Sequence, residues 1–419
     1  MQTDVPEGWE RKPLGTVATI VGGTGFPTKH QGQTGAEFPF IKVSDMNLAG
    51  NERTVTWSTN SVTQDTLKLL GATAHPVGTT IFPKVGAALL TNKRRLLGVP
   101  ATFDNNVMGV IARHADSDFV FHWTCTLDFA NHVQLGALPS INQATVSSLP
   151  ILLPPLPEQR KIAAILSSVD EAIQATQAVI EQTRRVKEGL LQELLTKGIG
   201  HTRFKKTPIG EIPEGWEIQE LSGLCSIAHG YAFKSEFFTD SRTEYHLLTP
   251  GNFSVNGGYQ PHKNRFYSGE VPEEYVLDEG DLLVTMTDLT PGCQTLGLPM
   301  RVPAFPGFSA LHNQRLGRLT VDGPDKLSIE FLECFLLSKP YRDRIKATAS
   351  GSTVRHTSPT RILASSIPLP SKREQQKIAS AIKAPDQSAV TGETSLRQLR
   401  KLKQGLLQDL LTGKVRVSV

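Results

Sequence analysis

Glu158-Gln159-Arg160-Lys161-Ile162-Ala163 returns as Glu374-Gln375-Gln376-Lys377-Ile378-Ala379, 216 residues further on. Lys187-Glu188-Gly189-Leu190-Leu191-Gln192-Glu193-Leu194-Leu195-Thr196 returns as Lys403-Gln404-Gly405-Leu406-Leu407-Gln408-Asp409-Leu410-Leu411-Thr412 at the same offset of 216. Upstream, Val5-Pro6-Glu7-Gly8-Trp9-Glu10 returns as Ile212-Pro213-Glu214-Gly215-Trp216-Glu217, at an offset of 207. The chain of 419 residues is therefore written twice, and a repeat of this length fixes the architecture before any single motif does. Each half holds a part of variable length and then a part of constant length. Constant length is what a rod requires.

The constant parts read as long helices. From Glu158 to Leu195 there is no Pro and a single Gly. Ile162, Val169, Thr176, Thr183 and Leu190 recur every seven residues, and Leu166, Ile173, Ile180, Lys187 and Leu194 follow four residues behind. Ile165, Ala172, Val179 and Val186 widen the stripe. A seam of period 3.5 marks coiled-coil packing. Pro154-Pro155-Leu156-Pro157 ends the preceding segment and places Pro in the tolerated first turn. The second copy keeps the register through Ile378, Ile382, Ala389, Leu396, Leu399, Leu406 and Leu410. Pro385 and Gly392 interrupt it, and a kink or break is expected there. Each rod measures about 57 Å at 1.5 Å per residue. Connectivity demands antiparallel packing of the two seams, which puts the globular parts at opposite ends about a pseudo-two-fold axis. The breadth of the stripe predicts that helices of other chains pack on it as well.

The variable parts are rich in Gly and Pro, with short β-prone runs such as Phe38-Pro39-Phe40-Ile41-Lys42-Val43, Thr79-Thr80-Ile81-Phe82 and Asp281-Leu282-Leu283-Val284-Thr285-Met286. They read as mixed α/β domains. The fold class is thus α/β: two similar globular domains separated by two long antiparallel coiled-coil helices. The expected boundaries are a first domain over 1–153, a helix and linker over 154–205, a second domain over 206–369 and a second helix over 370–419. Trp9 and Trp216 are expected to anchor the strand entering each core.

Basic and amide side chains cluster between the β-prone runs. The first domain carries Lys29, Lys84 and Asn92-Lys93-Arg94-Arg95. The second carries Lys234, Lys263, Arg265, Asn313-Gln314-Arg315 and Ser352-Thr353-Val354-Arg355. Arg, Lys, Asn and Gln can grip purine edges with two hydrogen bonds, and Ser, Thr and Lys serve phosphates. These are the candidate DNA-binding residues. The Lys93-Arg94-Arg95 loop is the expected reader in the first domain. Asn313–Arg315 and Ser352–Arg355 are the expected readers in the second. The net charge of +4 and pI of 8.8 permit a nucleic-acid partner without demanding one.

Several chemistries are unsupported. There is no Gly-x-x-x-x-Gly-Lys-Ser/Thr phosphate loop. No Asn-Pro-Pro-aromatic or Asp-Pro-Pro-Tyr tetrapeptide occurs, and Gly22-Gly23-Thr24-Gly25 lacks dinucleotide-binding spacing. Cys125, Cys225, Cys293 and Cys334 form no CxxC pair, so neither a zinc site nor a disulfide scaffold is indicated, and a reducing cytoplasm fits best. No signal peptide or membrane span is read. A binding module is expected rather than an enzyme.

The repeated residues carry a family resemblance. Over essentially its full length the chain resembles specificity subunits of type I restriction-modification systems. The motifs are Phe204-Lys205 through Ile209-Gly210-Glu211-Ile212-Pro213-Glu214-Gly215-Trp216, the two Pro-x-x-x-Glu-Gln-x-Lys-Ile-Ala helix starts at Pro154 and Pro370, and the two Gly-Leu-Leu-Gln-Glu/Asp-Leu-Leu-Thr helix ends. Phe38–Asp45 also looks like a target-domain core strand. The resemblance implies that each variable part is a target recognition domain reading half of a bipartite site in double-stranded DNA, with the helices setting the gap. It implies two modification subunits docking on the helices and domains, with Glu158, Gln159, Lys161, Glu374, Gln375 and Lys377 at the partner-facing helix starts. Those partners would methylate adenine using S-adenosylmethionine, and restriction subunits would cut DNA with ATP and Mg. No cofactor is implied for this chain. A subunit whose partners only methylate, a coiled-coil scaffold for proteins and a self-contained methyltransferase are the alternatives.

Overall fold

The computed structural model describes residues 5–133, 138–261, 265–290 and 292–418. Two helices dominate it, Leu156–Lys197 with 42 residues and Lys372–Leu410 with 39. Their residues divide between two compact units. One comprises Met1–Ala178 with Glu393–Val419, the other Val179–Gly392.

In the first unit a five-stranded sheet is built on antiparallel pairing of Ala18–Gly22 and Thr80–Pro83 with Val107–Ala112. Phe38–Ile41 lies in a separate three-stranded sheet. Glu10–Pro13 pairs with Pro150–Leu153 and brings Trp9 to the root of the first long helix. The second unit repeats these parts. Cys225–His229 and Leu282–Thr285 flank Leu316–Val321, and Glu217–Glu220 pairs with Ser366–Leu369. The β-prone runs Phe38–Ile41, Thr80–Pro83 and Leu282–Thr285 all form strands, the last two buried along their whole length, as expected of α/β domains.

Each unit is closed by helix segments from both copies of the repeat. In the first, Ile162 and Leu166, both 0% exposed, share a core with Leu410 and Leu411, and Leu406 and Leu407 pack against it. In the second, Ile378 and Ile382 share a core with Leu195, Trp216 and Ile367. Within each unit the start of one long helix therefore meets the end of the other, the antiparallel sense that the connectivity requires. A fully buried Leu or Ile contributes about 1.5–3 kcal/mol at such a seam.

Ion pairs set the register, and they repeat with the sequence. Lys403 Nζ lies 2.5 Å from Asp170 in the first unit. In the second, Lys187 Nζ lies 2.6 Å from Asp386, the residues at the 216 offset. Asp170 gathers more around it. Arg53 Nε is 3.5 Å away and His122 Nδ1 3.9 Å. Arg53 also bonds Asp118 at 2.8 Å and Ser167 at 2.9 Å.

His122 is fully buried in this network. Burial, with repulsion from Lys403 and Arg53, holds its imidazole down at about 3. Its unfolded value lies near 6.5. The unfolded chain thus takes up a proton in a window where the folded one does not, and stability falls as pH drops from about 6.5 toward 3. By pH 5 this single group removes about 2 kcal/mol. Urea unfolding at pH 7.5 and pH 5 should show the loss, and His122→Asn should flatten that part of the profile.

Of the kink or break expected in the second long helix, the break is corrected. It runs unbroken from Lys372 to Leu410 with Pro385 inside it. Proline removes one helix hydrogen bond, but the neighbouring contacts hold the helix. Asp386 is paired with Lys187. At Gly392 an added Cβ would stand 2.8 Å from Ile180 Cγ1, so the missing side chain lets the backbone approach Ile180, itself 6% exposed. Gly392 is a packing glycine rather than a helix breaker.

Candidate nucleic-acid interface

Both globular parts carry the same backbone frame, made of three pieces. The first is a tight turn. In the first domain Asp104 Oδ1 accepts from the Asn106 N–H at 3.0 Å, and the Asp104 carbonyl accepts from Val107 at 3.0 Å. In the second, Asn313 Oδ1 accepts from the Arg315 N–H at 3.0 Å, and the Asn313 carbonyl accepts from Leu316 at 2.9 Å. The second piece is the residue following a core strand. Lys84 N–H donates to the Asn106 carbonyl at 2.8 Å, and Met286 N–H donates to the Arg315 carbonyl at 2.9 Å. The third is the segment leading into a short helix. Ile141 N–H donates to the Lys84 carbonyl at 3.0 Å, as Thr357 N–H does to the Met286 carbonyl at 3.0 Å.

A glycine seals each turn from behind. A Cβ at Gly23 would lie 1.9 Å from the Asp104 carbonyl oxygen, and one at Gly230 would lie 2.2 Å from that of Asn313. The Gly22–Gly25 cluster thus permits a close backbone approach. In the second domain the turn is braced further by His312, 1% exposed, whose Nε2 meets the Leu316 carbonyl at 3.0 Å. Burial pushes this imidazole down to about 4, so it stands neutral.

The sequence-predicted DNA-binding residues fall unevenly on this frame. Gln314 and Arg315 are exposed at the turn of the second domain, and Ser352 and Thr353 are exposed nearby. Arg355 is half-buried and donates to the Gly351 carbonyl at 3.0 Å. Lys84 lies on the frame of the first domain. Lys29, Lys234 and Arg265 are exposed elsewhere, with the Arg265 guanidinium 5.3 Å over the Phe238 ring. Lys263 lies outside the described residues.

Other expectations are corrected. Arg94 is 5% exposed. Its guanidinium donates to the carbonyls of Asn92 and Leu127 and lies 4.1 Å over the Phe129 ring. Burial lowers it to about 10. Arg95 donates to the carbonyls of Arg94 and Met46, both at 2.8 Å, and Lys93 bonds the Asn47 side chain. Asn92 sits at φ 54°, a conformation Asn tolerates, and its amide bridges Asp128 and the Phe129 N–H. This loop is a structural knot in which the terminal guanidinium nitrogens bond carbonyls, while Nε of both Arg94 and Arg95 is buried without a partner among the described residues. Asn313 is buried and shapes its turn rather than facing outward.

The helix starts are corrected in the same way. Gln159, 2% exposed, accepts from the Asp116 N–H at 2.8 Å and donates to the Pro154 carbonyl. Gln375, 0% exposed, accepts from the Ser328 N–H at 2.8 Å and donates to the Pro370 carbonyl. Glu158 takes the Trp9 indole at 3.1 Å and the Arg416 guanidinium at 2.7 and 2.9 Å, and these bonds lower its carboxyl pKa. Glu374 takes Trp216 at 3.2 Å, His201 at 2.8 Å and the Ile199 N–H at 3.1 Å. The Glu-Gln pair bolts each domain to its helix, and Trp9 and Trp216 are anchors. Lys161 and Lys377 are the members of this set that face outward.

A protein-family model for the type I restriction modification DNA specificity domain matches residues 6–183 and again 213–400. The chain belongs to that family. The double match lays one specificity domain over each copy of the repeat. Similar relatives include the MjaVIII specificity subunit of Methanocaldococcus jannaschii, 29% identical over 67% of this chain and 65% of that protein. The EcoKI specificity subunit of Escherichia coli K12 is 22% identical over 49% of this chain and 44% of its own length. The chain thus spans just under two thirds of the MjaVIII subunit. The crystal structure of the S subunit from M. genitalium superposes with a TM-score of 0.59 at 13% identity, covering 98% of this chain and 97% of that one. This specificity-domain fold is thereby shared along nearly the whole chain.

Asn105 and Asn106, exposed at the turn of the first domain, were not among the sequence candidates, nor was Gln143. The available signal was the alignment of Phe103-Asp104-Asn105-Asn106 with His312-Asn313-Gln314-Arg315. Only the preceding turn residue, Asp against Asn, is similar in type, and the backbone frame is what makes the match plain. Among the described residues no His, Cys, Asp and Glu cluster could hold a metal. None of their helices is long and apolar enough to cross a membrane.

Proposed function

We propose that this chain is the DNA-specificity subunit of a type I restriction-modification complex. It is a non-catalytic reader of a bipartite duplex target, acting in the cytoplasm, and directs adenine methylation and DNA cleavage by its partners. The observation that carries this is one backbone frame built twice with different side chains on it. A frame held by the same hydrogen bonds supplies constant geometry, and exchangeable side chains supply a different base preference for each half-site. Membership of the specificity-domain family supports the same reading.

Two modification subunits, bringing S-adenosylmethionine, are the proposed methylating partners, with restriction subunits bringing ATP and Mg. Val179 and Val186 are 61% and 45% exposed on the first long helix, and Lys161 is exposed at its start. Partner helices covering these valines would bury them. A map of N6-methyladenine in the genome, with and without this gene, tests the function. Loss of methylation at a two-part motif with a fixed gap is the expected result. Unchanged methylation in a cell that expresses the complex would refute it.

A further inference from the structure

The frame of the first domain encloses an open cleft of about 570 Å³. Lys84, Asn105, Asn106, Ser140, Asn142 and Gln143 supply its polar lining. Two of these serve the scaffold. Asn142 Oδ1 accepts from the Thr145 N–H at 2.8 Å, and Asn106 Nδ2 approaches Asp104 at 3.3 Å. Three others differ. The Lys84 ammonium and the Asn105 and Gln143 amides have no hydrogen-bond partner among the described residues. They also converge. A Cβ built on Gly22 would stand 3.0 Å from Gln143 Nε2 and 3.9 Å from Lys84 Nζ. The absence of a side chain at residue 22 leaves that corner of the cleft open.

We infer that Asn105 and Gln143 are specificity-determining residues that read purine edges in the half-site of the first domain, with Lys84 gripping an adjoining phosphate. This rests on the DNA-reading function proposed above. An amide presents one acceptor and one donor side by side, which matches N6 and N7 of adenine in the major groove. A lysine beside such readers neutralises backbone charge. Arg94 and Arg95 are poorly placed for this role, because their terminal guanidinium nitrogens bond carbonyls inside the fold.

The second domain supplies an internal comparison. Its frame carries Met286 where the first has Lys84, and Gln314 and Arg315 where the first has Asn105 and Asn106. Pro359 follows its helix cap where Gln143 follows Asn142. The hydrogen-bonding groups on offer therefore differ although the frame is the same. Two unlike half-sites follow from that.

The test uses the full chain assembled with its modification subunits, and duplexes in which each base pair of the mapped motif is replaced in turn. The first domain's half-site is the one that changes when residues 1–150 are exchanged for those of another specificity subunit. Asn105→Ala and Gln143→Ala should each reduce discrimination at one base pair of that half-site roughly tenfold, leaving the other half-site untouched. Lys84→Met, which installs the residue the second domain uses there, should weaken binding to all sequences alike and reduce the salt slope by about 1. Retention of full discrimination by both amide variants would overturn the assignment, as would equal loss at both half-sites. A gene deletion that leaves the methylation map unchanged would instead strike the function itself.

Discussion

Replacement of Gly198 by alanine is expected to destabilise the second unit by about 4 kcal/mol. Gly198 follows the end of the first long helix at φ 64°, where an L side chain costs roughly 1–2 kcal/mol. Its Cβ would stand 2.6 Å from both Trp216 Cζ2 and Glu374 Oε1, and 2.7 Å from His201 Cδ2. Trp216 is 1% exposed and cannot swing away. Overpacking against such a ring costs about 1–3 kcal/mol. Gly189, inside the same helix with nothing within 4 Å of its Cβ position, makes the control. Gly189→Ala should stabilise by about 0.5–1 kcal/mol. Denaturant unfolding of both variants decides the matter, and a Gly198→Ala protein as stable as the parent would refute the packing argument.

Removal of Asp170 should cost about 3 kcal/mol, whereas removal of its repeat counterpart Asp386 should cost less than about 1 kcal/mol. The two sit at equivalent places and each accepts a lysine. Their surroundings decide the difference. The Asp170 side chain is 10% exposed and faces Arg53, Lys403 and buried His122. Its loss leaves cations in a poorly hydrated site without their counter-charge. The Asp386 side chain is 48% exposed and holds Lys187, so water takes over much of its work. Hydrogen exchange would localise the effect. Asp170→Ala should accelerate exchange in helix residues 393–410, and Asp386→Ala should not.

The long helices are legible in the sequence because their seam is local and periodic. Ile162 and Leu166 announce a buried face whatever covers it. The duplication likewise predicts that the two Trp residues play matching parts. What the sequence leaves dark is long-range bonding. Arg94 reads as an exposed loop cation, but its partners at Leu127 and Phe129 lie more than thirty residues downstream. The Glu-Gln pairs at the helix starts read as surface charge and amide, and their burial depends on Asp116 and Ser328 folding back over them. Pro385 reads as a breaker because local propensity cannot register the contacts of Asp386 and Gly392 with the other helix. The cleft residues Asn105 and Gln143 lie far apart in sequence and share no motif. Only the backbone bonds through Asn106, Lys84 and Ile141 bring them to one place.

The sharing of each unit between both copies of the repeat bears on how the protein is made. Helix residues 393–410 belong to the unit that begins at the N-terminal side, and they leave the ribosome only after all of 179–392 has been synthesised. At ordinary elongation rates that interval is roughly 10–40 s, far longer than helices or hairpins take to form. Throughout it, Ile162 and Leu166 lack Leu410 and Leu411, and Asp170 lacks Lys403. The second unit meets no such delay, since its last helix segment follows directly on its own domain. Nascent chains that have not yet extended past residue 392 should therefore carry an unfinished first unit, and its sticky seam is where chaperones would be needed.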